Sequence, residues 1–297
     1  MADRAREAAL RITSMIAAAT ALAALAASPC AAAGPEAFVD AGAKVAGHPE
    51  LTYLDLVKQG VPDLAPSADG KTIEGSLPDT LRNLFGKESD DDPPDPATLT
   101  DLETLPFKSG GKPRLALLAD FGHNDERVED FSLLMVFDDA GRTPRLLDSG
   151  FVGVDKDTAF SEHPLIALGP GDDAIVTYSE HFNSDQTYGG WMVSFLHGRR
   201  LRMVTAEHLL SDRLCGYERD ESPAFTTRAV PGGRFRELDV TVTDEVTHND
   251  EDCGDDKIPR LSKHIYRDSW RWDARRGRFV QRLNGVDRLD KKNEARF

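Results

Sequence analysis

Hydrophobic residues beyond about position 114 occur in short runs that are separated by turns containing glycine. Short runs rich in β-branched or aromatic residues around such a turn are typical of β-hairpins. Strands joined in series by tight turns pair antiparallel with their neighbours. The sequence therefore predicts a mainly β protein, built as an antiparallel meander of consecutive hairpins. The predicted strand pairs are 131–137 with 145–147, 165–168 with 174–178, 191–196 with 201–205, 225–230 with 235–242, and 264–272 with 278–283.

The pattern leaves open how this meander folds in space. The turns recur at intervals that suit the blades of a propeller, but no motif recurs residue for residue. A sandwich, a curled sheet and a propeller-like arrangement are all compatible with the hairpins.

A helical pattern precedes the hairpins. A short helix is predicted within 49–59, where apolar residues recur at every third position, namely Leu51, Leu54 and Val57. A second helix is predicted to begin at Ser76, a residue type that caps helices, and to end before Gly86. Residues 34–87 are therefore interpreted as an N-terminal helical segment.

An acidic, proline-rich stretch separates this segment from the hairpins. Residues 88–96 contain five acidic residues and three prolines. Charge repulsion and the missing backbone donors of proline disfavour both helix and central strand. We expect a solvated linker over 88–97 and a β-rich domain over 98–297.

The first 33 residues have the layout of a secretory signal peptide. Three arginines precede an apolar run over 12–27, and Ala31, Ala32 and Ala33 supply a small-residue cleavage site. The run is short for a membrane span, and no later stretch approaches the ~20 apolar residues that a spanning helix needs. The sequence predicts cleavage near Ala33, a periplasmic or secreted protein, and no transmembrane segment in the mature chain.

The chain is acidic, with a formal net charge of −15. The predicted leader holds three arginines, one aspartate and one glutamate, so its removal would lower the net charge by one, to −16. A protein this acidic repels phosphate backbones, which argues against a nucleic-acid partner.

Two cysteines, Cys215 and Cys253, remain after the predicted leader. An even pair in an oxidising compartment indicates a disulfide. Closing the intervening loop would stabilise the fold by roughly 3–4 kcal/mol in the chain-entropy model. Metal ligation and a reactive thiol are the alternatives, but neither cysteine has a partner at C-x-x-C spacing.

The richest polar stretch lies between two predicted strands, where a rigid sheet positions a loop for binding. Its hydrogen-bonding groups stand beside aromatic residues, a mixture typical of recognition sites. The candidate ligand-binding residues are Glu180, His181, Asn183, Asp185, Tyr188 and Trp191. His181, Asn183 and Asp185 would project from one face if the segment is extended. Alternatively, Asn183 and Asp185 only satisfy the local backbone, as turn residues do.

A second candidate site is rich in oxygen ligands. Residues 120–126 resemble the calcium loops of integrin-type propeller repeats, although Asp125 stands where those loops have glycine. The resemblance implies a calcium site with the ligands Asp120, Asn124, Asp125 and Glu126.

No complete catalytic constellation is present, since the sequence contains neither H-E-x-x-H nor G-x-S-x-G. The sequence therefore favours a non-enzymatic binding or interaction domain whose partner is a small molecule, a glycan or a protein. The alternative is a hydrolase acting on an envelope or extracellular polymer, with calcium as its candidate cofactor. It would use a carboxylate pair. The candidate pairs are Glu180 with Asp185 and Asp120 with Glu126. The sequence does not assign a catalytic role to any of these residues.

Overall fold

The computed structural model describes residues 38–85, 93–122, 131–249, 253 and 258–295. Two helices lie in these ranges, α1 (Tyr53–Val57) and α2 (Gly285–Glu294). The strands are β1 (Lys44–Val45), β2 (His48–Thr52), β3 (Ala65–Pro66), β4 (Ile73–Gly75), β5 (Ala97–Leu99), β6 (Asp101–Ser109), β7 (Lys112–Asp120), β8 (Ser132–Asp138), β9 (Arg145–Phe151), β10 (Ala159–Gly169), β11 (Asp172–Asn183), β12 (Gln186–His197), β13 (Arg200–Leu214), β14 (Tyr217–Arg228), β15 (Glu237–His248), β16 (Ser262–Asp273) and β17 (Arg278–Asn284).

The strands form sheets in which each strand pairs antiparallel with its neighbour in sequence. The sheets are β1–β2, β3–β5, β6–β9 and β10–β17. The prediction of a mainly β, antiparallel protein is confirmed. The five predicted hairpins correspond to β8–β9, β10–β11, β12–β13, β14–β15 and β16–β17.

The first predicted helix is shorter than its pattern suggested. Helix α1 begins at Tyr53 because Thr52 and Asp55 form a reciprocal capping box. The Thr52 hydroxyl accepts the Asp55 backbone N–H at 3.2 Å, and the Asp55 carboxylate accepts the Thr52 backbone N–H at 2.8 Å. Residues 48–52, which the apolar spacing assigned in part to the helix, pair with β1 instead.

The second predicted helix is wrong, because residues 76–85 form no helix. They run beside β9, where the Phe151 N–H donates to the Arg82 carbonyl at 2.8 Å and the Leu84 N–H donates to the Phe151 carbonyl at 3.1 Å. Leu84 packs onto Gly150, where a Cβ would come within 2.9 Å of the leucine side chain. These tertiary contacts outweigh the local signal for capping.

Two predictions fall on residues outside the described ranges. The signal peptide over 1–33 lies wholly there, and so do residues 88–92 of the linker over 88–97. Of the linker, Asp95 accepts a hydrogen bond from the Ser76 hydroxyl at 2.8 Å. None of the helices in the described part of the chain has the length and apolar character needed to cross a membrane.

Buried side chains form three clusters in successive layers. The first lies between residues 45–77 and one face of the β6–β9 sheet. The second joins the other face of that sheet to β11, β12 and β13, with Leu105, Leu134 and Met192 among its members. The third lies within the eight-stranded sheet, where Val286 and Leu289 of α2 pack against β12–β17. The sheets are thus held together mainly by burial of apolar surface.

Within the eight-stranded sheet, β13 and β14 pair through only three residue pairs, next to their turn. Because its strands alternate in direction, the β12–β13, β14–β15 and β16–β17 turns lie at one end of the sheet. We call this the arginine end, for the residues described below. The β11–β12, β13–β14 and β15–β16 connections lie at the opposite end. There Cys215 and Cys253 form the predicted disulfide, with their Cα atoms 5.6 Å apart.

Candidate functional site

Arginine residues concentrate at the arginine end although the whole chain is acidic. Eight of them make no ion pair with any residue that the structure describes: Arg199, Arg200, Arg202, Arg234, Arg236, Arg271, Arg275 and Arg278. By contrast, Arg228 pairs with Glu237 at 2.7 Å and with Asp239 at 3.1 Å. The arginine end therefore carries positive charge that its described neighbours leave without a counter-ion.

Acidic residues at the same end are already engaged. The carboxylate of Asp172 accepts the Gly110 N–H at 2.7 Å, and that of Asp173 accepts the Lys108 N–H at 2.9 Å. The Asp273 carboxylate accepts the backbone N–H groups of Arg275 and Arg276, which lowers its pKa. These carboxylates stabilise loops, and none of the three lies within ion-pair distance of Arg234 or Arg271.

An open cavity of about 470 Å³ lies between the β14–β15 loop and the end of β16. Its volume falls in the range of small-molecule sites. Aromatic rings form one wall: the ring centroids of His197 and Trp272 are 4.8 Å apart, and those of Phe235 and Trp272 are 5.0 Å apart. Arg234 and Arg271 border the same cavity. The cavity thus combines an apolar, ring-lined wall with two cations.

His197 contributes a buried polar atom to this cavity. Its Nδ1 is buried and has no hydrogen-bond partner among the described residues. Burial lowers the pKa of His197, and the charges of Arg234 and Arg202 lower it further. At neutral pH the imidazole is therefore neutral. An anion bound near Arg234 would stabilise the charged imidazole and so raise the pKa of His197.

Arg234 itself is held over an aromatic face. Its Cζ lies 4.9 Å from the centroid of the Phe235 ring, within the range of a cation–π contact. The side chain is exposed, so its guanidinium donors are accessible from the cavity. Guanidinium groups recognise carboxylates and phosphates through paired hydrogen bonds. The arrangement is suited to an anion that also carries a ring or an apolar surface.

The predicted ligand-binding segment lies at the opposite end of the same strands, in the β11–β12 hairpin. Ser184 and Asp185 form its two-residue turn, and Asn183 pairs with Gln186 across it. His181 and Tyr188 are directly opposite each other, and so are Tyr178 and Trp191.

The candidates of this hairpin do not share one surface. Alternation along β11 places His181 and Asn183 on one face of the sheet and Glu180 on the other, the face of Trp191. Asp185 lies in the turn itself. The structure therefore divides the six candidate residues between two faces and a turn.

His181 is held by two contacts on its face. Its Nδ1 lies 2.5 Å from an Asp155 carboxylate oxygen, and its ring stacks on Tyr188 with centroids 4.8 Å apart. The Tyr188 hydroxyl donates to Gln186 at 3.0 Å, and the Gln186 amide donates to Asp212 at 3.1 Å. The sequence pattern missed Asp155, which is 26 residues from His181 and lies outside the strands.

Glu180 is engaged on the opposite face. Its carboxylate accepts the Tyr178 hydroxyl at 2.5 Å, and Tyr178 packs on Trp191 with ring centroids 4.3 Å apart. Burial, then the bond to Glu180, raise the pKa of Tyr178. Asp185 lies in the turn and not on the strand face that carries Glu180, and the pairing of the two carboxylates stays a prediction.

Of the four predicted calcium ligands only Asp120 lies in the described ranges; Asn124, Asp125 and Glu126 lie outside them. An Asp120 carboxylate oxygen accepts the Gly122 N–H at 2.7 Å, and Asp120 pairs with Asp101 across β6 and β7. Within the described ranges no three His, Cys, Asp or Glu side chains are grouped to hold a metal ion. The calcium site and the pairing of Asp120 with Glu126 stay predictions.

The sequence pattern also missed the arginine-end cavity. Its residues are 37 or more positions apart in sequence, since His197, Arg234 and Arg271 come from three different hairpins. One signal was available: alternate turns of a meander lie at the same end of the sheet, and three such turns contain arginine.

Comparison with known proteins found no matching protein family, no matching curated protein and no matching solved structure.

Proposed function

We propose that this chain is a non-enzymatic binding protein that takes an anionic, ring-bearing ligand in the cavity bordered by His197, Arg234, Arg271 and Trp272. The observation that carries the proposal is the set of arginines without ion pairs at one end of an acidic protein. Exposed cations in an acidic chain ordinarily have acidic neighbours within reach, and here no carboxylate in the described ranges lies within ion-pair distance of Arg234 or Arg271.

The aromatic wall of the cavity is the reason for proposing a ring in the ligand. Trp272 offers partly exposed aromatic surface, with the buried Phe235 packed behind it. Sugar or aromatic rings gain contact area against such surface at little cost in conformational entropy. Arg234 and Arg271 would bind the acidic group of the ligand. His197 borders the cavity beside these two cations, so the acidic group of the ligand would act on its imidazole as well.

Two further parts of the proposal rest on other features. The leader over 1–33 supports export to the periplasm or the medium, where such a ligand would be met. The eight-stranded sheet is proposed to be curled. In support, the Arg236 N–H donates to the Leu168 carbonyl of β10 at 2.7 Å, which brings the β14–β15 loop to the first strand of the sheet.

The test is isothermal titration of the mature chain with D-galacturonate, citrate, sulfate and inorganic phosphate, using an Arg234→Gln/Arg271→Gln variant. A hydrogen bond to a charged group contributes about 1.5–3 kcal/mol. We therefore expect the variant to bind the preferred anion at least about tenfold more weakly. Arg260→Gln is the matched control, because Arg260 is exposed, makes no ion pair with described residues and lies at the opposite end. Equal affinity in the double variant and the control would contradict the proposal.

A further inference from the structure

Positive charge continues from the cavity along the β16–β17 hairpin. Arg267 and Arg271 occupy odd-numbered positions of β16, on the opposite face from Trp270 and Trp272, which pack against the core. At the end of the strand Arg271 and the partly buried Trp272 nevertheless border the same cavity. Arg282 stands at the bulge of β17, beside them. All three are exposed, as is Arg288 at the start of α2. Their side chains form a basic strip on the edge hairpin of the sheet.

The charges of this strip have no internal counter-ions. Arg267, Arg271, Arg282 and Arg288 make no ion pair with any residue in the ranges that the structure describes. Only beyond them along β16 is a cation paired, where Lys263 Nζ contacts the Glu245 carboxylate at 2.6 Å. The strip is therefore a continuation of the unpaired charge at the cavity.

Concave surface follows the same path. A second cavity, of about 410 Å³, shares Arg271, Trp272 and Ala274 with the first. It adds the cations Arg275 and Arg282, the apolar Val280 and one carboxylate, Asp273, which already pairs with Arg276. A third, of about 520 Å³, is bordered by the cations Arg267, Arg288 and Lys292 and by the apolar residues Ile265 and Leu283. Ile265 is 49% exposed and Leu283 52% exposed, so the third cavity offers apolar contact as well as charge.

The three cavities together extend over a greater length than a single small anion can cover. Ile265 and Arg271 are six residues apart on one strand, which corresponds to roughly 20 Å at about 3.4 Å per residue. A monomeric acid fills one cavity only. A chain of linked units with repeated negative charge can contact the arginines of all three.

We infer that the ligand is a linear acidic glycan that carries a carboxylate on its sugar units and lies across the three cavities; this inference rests on the proposed function. Sugar rings have apolar faces that suit Trp272, Ile265 and Leu283, and carboxylates suit arginine forks. Inorganic polyphosphate supplies charge without apolar surface. An acidic peptide supplies both, but ordering its side chains costs more conformational entropy than ordering rigid rings.

Titration with galacturonate oligomers of one to five units tests the inference. Because each added unit brings a further charge to a further arginine, we expect the pentamer to bind at least about tenfold more tightly than the monomer. In an Arg267→Gln/Arg282→Gln variant the ratio of pentamer to monomer affinity should fall toward one. Arg260→Gln should leave that ratio as in the unaltered chain.

The outcomes separate the two proposals. If the monomer binds in a manner that depends on Arg234 and Arg271 while length brings no gain, the glycan inference is overturned and the proposed function stands. If neither monomer nor pentamer binds, both fail. Penta-glutamate and a neutral maltopentaose are the comparison probes. Penta-glutamate binding as tightly as the galacturonate pentamer would overturn the assignment to glycans, and so would equal binding of maltopentaose.

Discussion

At the scale of single residues, the fold buries the carboxyl group of Glu207 and shifts its pKa. The residue is 4% exposed on β13 and accepts the Thr205 hydroxyl at 2.6 Å. Burial raises its pKa to about 8, although the bond from Thr205 lowers it, and the charges of Asp268 and Asp287 raise it further. Glu103 shows the same effect: burial raises its pKa to about 7.

A carboxyl group whose pKa is raised on folding binds more protons in the folded state than in the unfolded state, so stability falls as the pH rises. For Glu207 this loss begins near its ordinary pKa of 4.5 and is complete above about 8. A Glu207→Gln variant has no carboxyl group to ionise at this position, so it does not lose stability in this way as the pH rises. We expect Glu207→Gln to raise the free energy of unfolding at pH 9 by on the order of 2–4 kcal/mol, with little effect at pH 4.5.

Urea unfolding at both pH values measures this difference. Glu162→Gln, the same substitution at an exposed position, serves as the control. A Glu207→Gln variant that is less stable than the unaltered chain at pH 9 would show that the ionised carboxylate stabilises the fold, contrary to the account.

At the scale of secondary-structure elements, the hairpins were predictable because their signals are local. Gly198 and Gly277 have φ angles of +67° and +61°, which glycine adopts at little cost, and each lies in the turn of a predicted pair. The region 76–85 was not predictable, because its conformation depends on hydrogen bonds to Phe151, more than 60 residues away. Local capping chemistry contains no information about such a partner.

Helix α2 is an element whose position depends on tertiary packing more than on its own sequence. Its mean hydropathy is low, and its N-cap residue, Asn284, makes no capping hydrogen bond through its side chain. Instead the Val286 N–H donates to the buried Asp268 carboxylate of β16 at 2.8 Å, and Leu289 is fully buried in the third core cluster. The helix therefore depends on the sheet for its stability.

We expect Leu289→Ala to lower the free energy of unfolding by about 2–5 kcal/mol, because it leaves a cavity under the helix. Lys291→Ala, an exposed change on the same helix, should alter it by less than about 0.5 kcal/mol. Thermal and denaturant unfolding of the two variants make the comparison. Similar stability of both would mean that α2 does not contribute to the core.

At the scale of the whole molecule, the distribution of charge matters more than its sum. The net charge of −15 predicts repulsion of phosphate backbones, yet the arginine end is locally positive. The site at the β11–β12 hairpin was predicted from residues that are close together in the sequence. The arginine end, by contrast, combines residues from three hairpins that are far apart in the sequence. Sequence patterns detect the first kind of site. The second requires the order and direction of the strands.

The most direct test of the central claim is the titration of the His197 imidazole by ¹⁵N NMR, with and without D-galacturonate. His197 borders the cavity, and its pKa is lowered by burial and by Arg234 and Arg202. A bound carboxylate would stabilise the charged imidazole. The account therefore predicts that the ligand raises the pKa of His197 and that affinity increases as the pH falls through it. A saturating ligand that leaves the pKa of His197 unchanged would contradict the account. A ligand that instead shifts the NMR signals of His181 would place the binding site at the β11–β12 hairpin.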